Sequence, residues 1–192
     1  MQVGVLALQG AFAAHSDCLT SIGVQSVEVR TPEQLNSVDA LLMPGGESST
    51  MSQLLESSGL FGPIATRITD GMPVFGTCAG MILLASEILD GRSDQRSFSA
   101  IDISVRRNAF GRQVDSFEAT INSSVGDFHG VFIRAPRIER IGDEVEVLGS
   151  ISNEPVLVRQ GNVLAASFHP ELSNDARLHE YFVSITANRK KV

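Results

Sequence analysis

Cysteine is scarce in this chain. Two residues in 192, Cys18 and Cys78, are too few for a disulfide framework. Positive charge is scarce too: 15 Lys and Arg stand against 22 Asp and Glu, a formal net charge of −7. That balance argues against a nucleic-acid partner or an anionic membrane surface, neither of which attracts such a protein non-specifically. The basic run Arg189-Lys190-Lys191 reads as a solvated tail. No apolar run approaches the ~20 residues a membrane span needs. Residues 1–8 lack the positive leader of a signal peptide and read as a first strand. Repeats, low-complexity segments and linkers are absent, and no Cys or His pair has metal-ligand spacing. The expectation is a cytoplasmic protein without metal or cofactor. Its hydrophobic content of 43% and charged content of 19% suit one domain over residues 1–192.

One stretch organises the rest: Pro73-Val74-Phe75-Gly76-Thr77-Cys78-Ala79-Gly80-Met81. A short apolar strand leads in, and an apolar helix over 81–89 is predicted to lead out. Between them Cys78 has glycines two residues before and two after, the G-x-nucleophile-x-G elbow with Cys in the nucleophile's place. Such a turn lifts the sulfur clear of the backbone at a helix N-terminus, where the dipole favours thiolate. A buried cysteine in a tight turn fits the pentapeptide equally well.

The first half of the chain alternates strand and helix. Strands are predicted at 3–8, 24–29, 40–43 and 74–76, and helices at 12–22, from Thr31-Pro32, at 49–56 and at 63–69. That order predicts a flavodoxin-like α/β sandwich with a mostly parallel sheet and helices on both faces. From 98 to 158 short strands are predicted at 101–105, 117–121, 131–133, 145–148 and 156–158, separated by turn signals, as an antiparallel section. A buried strand at 163–168 ends in His169-Pro170-Glu171, and a last helix is expected over 174–187. The polar stretch 91–97 is expected to be disordered. In parallel sheets functional residues gather at the strands' C-terminal ends. Gln9, Gly45-Gly46-Glu47, Cys78 and His169 each follow a predicted strand.

A thiolate nucleophile needs a base, and the base needs an orienting group. Of four histidines, His15 is expected on the surface of the first helix, His129 in a turn and His179 in the last helix. His169 alone follows a core strand. Glu171, two residues on in an extended segment, would point the same way. A solvated pair capping a strand end is the plainer reading, which Cys78 tips toward catalysis. Pro44-Gly45-Gly46 is a tight turn that can also present backbone N–H groups to an oxyanion, with Ala79 as second donor. No G-K-[ST] follows, so it is not a phosphate loop.

Taken together, the elbow, the Pro44-Gly45-Gly46 loop and His169-Pro170-Glu171 resemble the class I (triad) glutamine amidotransferases. Arg107-Asn108-Ala109-Phe110-Gly111-Arg112-Gln113-Val114-Asp115-Ser116-Phe117 and Gly130-Val131-Phe132-Ile133-Arg134-Ala135-Pro136 resemble, within them, the glutaminase subunits of pyridoxal 5′-phosphate synthases, nearly end to end. The resemblance implies hydrolysis of L-glutamine by Cys78, His169 and Glu171, with Gly46 and Ala79 as oxyanion donors. It implies substrate binding by Gly46, Glu47, Ser48, Arg107, Ile133 and Arg134. It also implies a synthase subunit that receives the ammonia, in a complex of twelve plus twelve subunits, with Gln9 a helper near that interface. Ser49 replaces a frequent Thr, and Arg106 a frequent acid, which leaves open whether Arg106 or Arg107 meets the substrate. Alternatives are a glutaminase of another pathway, such as histidine biosynthesis, or a non-catalytic thiol sensor on the same fold. A sensor has no need of an oriented base.

Overall fold

The computed structural model describes residues 1–107, 116–173 and 175–189. Most of the 107–117 stretch, Asn174 and the lysines of the basic tail lie outside the described residues.

The chain opens as β1 (Gln2–Leu6), α1 (Phe12–Ser21), β2 (Gln25–Val29), α2 (Pro32–Asn36) and β3 (Ala40–Met43). Next come α3 (Ser48–Ser57), α4 (Phe61–Thr69), β4 (Val74–Thr77) and α5 (Ala79–Leu84). Thr31 caps α2 through a capping box with Gln34, and Pro32 stands in the first turn, as its sequence predicts.

Then follow β5 (Ala85–Ile88), β6 (Ile101–Arg106), β7 (Phe117–Ser123), β8 (Phe128–Phe132), β9 (Arg137–Ile141), β10 (Glu146–Ile151), β11 (Glu154–Gln160) and β12 (Val163–Ala166). A 3₁₀ turn (Pro170–Leu172) precedes α6 (Arg177–Arg189).

Among the described residues, nine strands form one sheet in the order β2-β1-β3-β4-β12-β11-β10-β7-β8. The first five run parallel in the flavodoxin-like order, and β11, β10, β7 and β8 add the antiparallel section. Alternate residues of each strand face opposite sides. Val3, Val5, Leu42 and Phe75 pack with Leu19 of α1 and Phe182 of α6. Leu6, Leu41, Met43 and Val74 pack on the other face with Leu35 of α2, Leu55 of α3 and Ile64 of α4. Both faces are thus covered by helices. A second sheet, β5-β6-β9, joins the latter cluster through Ile103, Val105 and Ile138.

Three expectations need correction. The helix after Cys78 stops at Leu84, and Ala85–Ile88 turns extended to pair in parallel with β6. Segment 91–97 is pinned against α3 rather than disordered. The Arg96 N–H donates to Ser52 Oγ at 2.9 Å, its guanidinium pairs with Glu56, and its Cζ lies 4.0 Å from the Phe61 ring centroid. His129 lies within β8, exposed and 2.7 Å from Glu118, not in a turn.

Candidate active site

Cys78 stands between β4 and α5 with φ 49° and ψ −103°, a conformation that a side-chain-bearing residue keeps only when its surroundings impose it. The glycines impose it. A Cβ on Gly80 would lie 2.1 Å from the Met43 carbonyl oxygen, and one on Gly76 2.6 Å from the backbone of Gly80. Strand, turn and helix therefore touch backbone to backbone. The Cys78 N–H donates to the Ala166 carbonyl at 2.8 Å and ties the elbow to β12.

His169 follows β12 and is buried. Its Nδ1 lies 2.7 Å from Glu171 Oε1, which leaves Nε2 for its interaction with neighbouring Cys78, whose Sγ lies 3.9 Å from the Ile133 carbonyl oxygen. The His169–Glu171 pair forms as expected from spacing, but through a 3₁₀ turn rather than an extended segment. Burial opposes a charged imidazole here. Hydrogen bonds with Cys78 and Glu171, and the charge of each, outweigh it and hold the His169 pKa up at about 10. Burial likewise works against the Glu171 carboxylate. The His169 hydrogen bond, the polar His15 ring alongside and the His169 charge win, so its pKa lies below the ordinary value.

An open cavity of about 170 Å³ spreads over Cys78 and His169. It is smaller than the ~300 Å³ at which pockets for drug-sized ligands begin, so it suits a ligand of amino-acid size. Gly46, Glu47, Ser48, Arg107, Ile133 and Arg134 line it, with Arg107 Nη1 3.9 Å from Glu47 Oε1. Ile82 of α5 completes it, a residue that nothing in the sequence marks out from its apolar neighbours. Ala79 and Glu171 are buried behind the lining.

The loop after β3 is held from two sides. The Gly45 carbonyl accepts from the Ala11 N–H at 3.4 Å. Carbonyl and N–H of a trans peptide point oppositely, so the Gly46 N–H is directed away from α1. Gln9 Oε1 accepts from the Glu47 N–H at 3.2 Å. The Glu47 carboxylate caps α3, accepting from the N–H groups of Ser49 at 3.0 Å and Thr50 at 2.7 Å. Burial raises its pKa, but these bonds and the Thr50 hydroxyl bring it below the ordinary value. Ala79 opens α5, where a backbone N–H has no intrahelical partner.

The two neighbouring arginines part company. Arg106 reaches outward to Glu139, 3.1 Å away. Arg107 turns to the cavity, its Nη1 donating to Ser49 Oγ at 2.7 Å and to Gln95 Oε1 at 3.2 Å. Ser49 Oγ also donates to Gln95 Oε1 at 3.2 Å. Gln95 of the 91–97 segment is thus a support that sequence reasoning missed. Nothing in a polar stretch signals which side chain turns inward.

His15 is not on the surface as expected, while His179 lies in the last helix as expected. His15 and His179 are both fully buried. His15 Nδ1 lies 2.9 Å from His179 Nε2, and His15 Nε2 lies 3.2 Å from both Thr77 Oγ1 and Glu171 Oε2. Burial drives the His15 pKa down to about 3 and that of His179 to about 4, so both rings are neutral. A signal for His15 exists: Phe12, His15, Leu19 and Ile22 recur at helical spacing.

Among the described residues, no group of three or more His, Cys, Asp or Glu could hold a metal ion. No described helix is long and apolar enough to cross a membrane.

Comparison with known proteins gives a consistent result. The model of the SNO glutamine amidotransferase family matches residues 5–188. The pyridoxal 5′-phosphate synthase subunit PdxT of Salinispora tropica is 54% identical over 95% of each chain. The protein of that name from Corynebacterium jeikeium is 54% identical over 98% of each. A crystal structure described as a glutamine amidotransferase superposes with a TM-score of 0.92 at 49% identity, covering 96% of this chain and 98% of the other. A putative GMP synthase component from Thermoplasma acidophilum, with TM-score 0.70 at 16% identity over 100% and 96% of the two chains, shares the fold.

Proposed function

The chain belongs to the SNO glutamine amidotransferase family, and from that premise we propose how its site works as the glutaminase subunit of a pyridoxal 5′-phosphate synthase. The reaction is hydrolysis of L-glutamine to L-glutamate and ammonia. The observation that carries the reading is the buried line Cys78–His169–Glu171 opening on an amino-acid-sized cavity.

Cys78 Sγ attacks the side-chain amide carbon of glutamine. Its proton already rests on His169 Nε2, since the imidazole is held charged with a pKa of about 10, and His169 delivers it to the departing nitrogen. Ammonia leaves and a thioester remains. His169 then takes a proton from water, whose oxygen attacks the thioester and frees glutamate and Cys78. Glu171 keeps the proton of His169 on Nδ1, so Nε2 faces the chemistry. The N–H groups of Gly46 and Ala79 serve the oxyanion. Arg107 and Arg134 match the α-carboxylate. Glu47 Oε1, with one lone pair still to offer, matches the α-ammonium. Ile133 and Ser48 line the space between.

The partner is the synthase subunit that consumes the ammonia. We place Gln9, which bonds the Glu47 N–H, at the side that meets it, and a twelve-plus-twelve assembly as the working form. Residues 1–192 act as one amidotransferase domain, in the cytoplasm.

The test is glutamate release from L-glutamine by the purified chain, alone and with the synthase subunit. Cys78→Ala is expected to abolish turnover, and the synthase subunit to raise that of the unmodified chain. Turnover that survives Cys78→Ala would sink the mechanism. Stimulation by the synthase of another pathway, and not by this one, would reassign the partner.

A further inference from the structure

Behind Glu171 lies a buried set of groups that this reaction leaves unused. Glu171 sits on the 3₁₀ turn after β12, His15 on α1, His179 on α6 and Thr77 on β4. Four separate elements converge there, and all four side chains are buried. The rings of His15 and His179 are 5.2 Å apart between centroids, and Phe75 stands edge-on to His179 at 6.2 Å. Apolar packing alone would serve such a position with leucines. Two imidazoles held without charge need a reason.

The proton positions follow by elimination. The Glu171 carboxylate is ionised and can only accept. His15 Nε2, 3.2 Å from Glu171 Oε2, must therefore carry a proton on that side. The same N–H forms its hydrogen bond with Thr77 Oγ1; Glu171 Oε2, which has no hydrogen-bond partner of its own, lies beside it and meets the positive edge of the ring through charge alone. A neutral imidazole has one N–H, so His15 Nδ1 is an acceptor. His179 Nε2, 2.9 Å away, must donate to it. His179 Nδ1 is then a bare lone pair, and it is the ring nitrogen of the pair without a hydrogen-bond partner. Each N–H in the series is thus passed on toward the Glu171 side. The carboxylate is met by His169 on one oxygen and by His15 on the other.

We propose that His15 and His179 are positioning residues for the glutaminase reaction: His15 holds the Glu171 carboxylate in the plane that aligns His169, and His179 fixes the tautomer in which His15 can do so. The inference rests on the glutaminase reading above. If His179 ceased to donate, His15 could move its proton to Nδ1 and turn a lone pair on the carboxylate. Glu171 would then be repelled from the geometry that keeps the His169 proton on Nδ1.

The experiment compares the unmodified chain with His15→Leu, His15→Gln and His179→Leu. Each is assayed for glutamate release with the synthase subunit, and His169 is titrated by NMR of labelled histidine. The ionisable groups facing this set are His169 and Cys18, both beside Glu171, and His169 in turn faces Cys78, so the His169 midpoint reports on it directly. Both leucine variants are expected to lower kcat roughly tenfold to a hundredfold, with KM within about threefold, the size of effect a displaced reacting group produces. The His169 midpoint should fall with kcat. The amide introduced by His15→Gln can place an N–H where Nε2 stood, so that variant should restore most of both.

A folded His15→Leu with unchanged kcat and midpoint overturns the proposal. So does equal loss in His15→Leu and His15→Gln with the midpoint unmoved, which would mean packing alone. If His15→Leu does not fold, the order of the other two decides: His179→Leu must be the slower, and the reverse order overturns the idea. An unmodified chain without glutamine turnover would sink the glutaminase reading instead, and the titration would still test the alignment of His169.

Discussion

Gly45 leaves no room for the smallest side chain: a Cβ there would lie 2.4 Å from His169 Cε1 and 3.4 Å from Cys78 Cβ. Gly45→Ala should therefore leave the protein folded but push His169 off Cys78. The expected outcome is a fall in kcat of roughly a hundredfold with an ordinary melting curve, since a displacement of about 1 Å has that effect on a reacting pair. An active Gly45→Ala would show that His169 has slack the structure does not give it. At this scale the sequence is informative where function is written in local spacing. Cys78 between two glycines, and His169 two residues before Glu171, can be read without knowing the fold. His15 and His179 cannot, because their bond joins positions 164 apart and only tertiary packing creates it. The capping role of Glu47 is also hidden, since a carboxylate beside a cavity reads equally well as a ligand group.

Elements repeat the lesson. The alternating first half is legible because short apolar runs between helix signals mark a parallel sheet. The end of α5 is not. Residues 81–85 are apolar and buried, so no periodicity separates helix from strand, and the pairing of Ala85 with Ile101 decides the matter. β9 escapes for the opposite reason. Its charged residues Arg137, Glu139 and Arg140 face solvent, and the signal of a strand is reduced to Ile138 and the half-buried Ile141. The 91–97 segment, which composition suggests is loose, is the platform behind Arg107. Gln95→Ala removes one acceptor of the Arg107 guanidinium while Ser49 remains. It should raise KM for glutamine several-fold, about 1 kcal/mol for one hydrogen bond, and leave kcat nearly unchanged. Loss of kcat with KM intact would mean that this segment serves the chemistry rather than the hold on substrate.

The molecule as a whole should register its buried histidines in its stability. His15 and His179 are neutral in the fold, with pKa values near 3 and 4 against an ordinary 6.5. Below pH 6.5 the unfolded chain binds protons that the folded chain refuses, so stability falls with pH from there toward 4. The limiting slope is roughly 1.4 kcal/mol per pH unit for each ring. Urea unfolding from pH 7 to pH 4.5 should show this loss, and the double variant His15→Gln, His179→Leu should flatten it. An unchanged slope would mean that other groups set the acid limb. His169 acts in the opposite sense. Its raised pKa stabilises the fold fully below 6.5, and that contribution is lost as pH rises through about 10.

The link between α1 and α6 also has a meaning for synthesis on the ribosome. His15 is made 164 residues ahead of His179, so the support beneath Glu171 waits for α6. Nascent chains, and fragments cut short before α6, should turn over glutamine at least about tenfold to a hundredfold more slowly, as His179→Leu is expected to. A chain still lacking α6 would then release little ammonia.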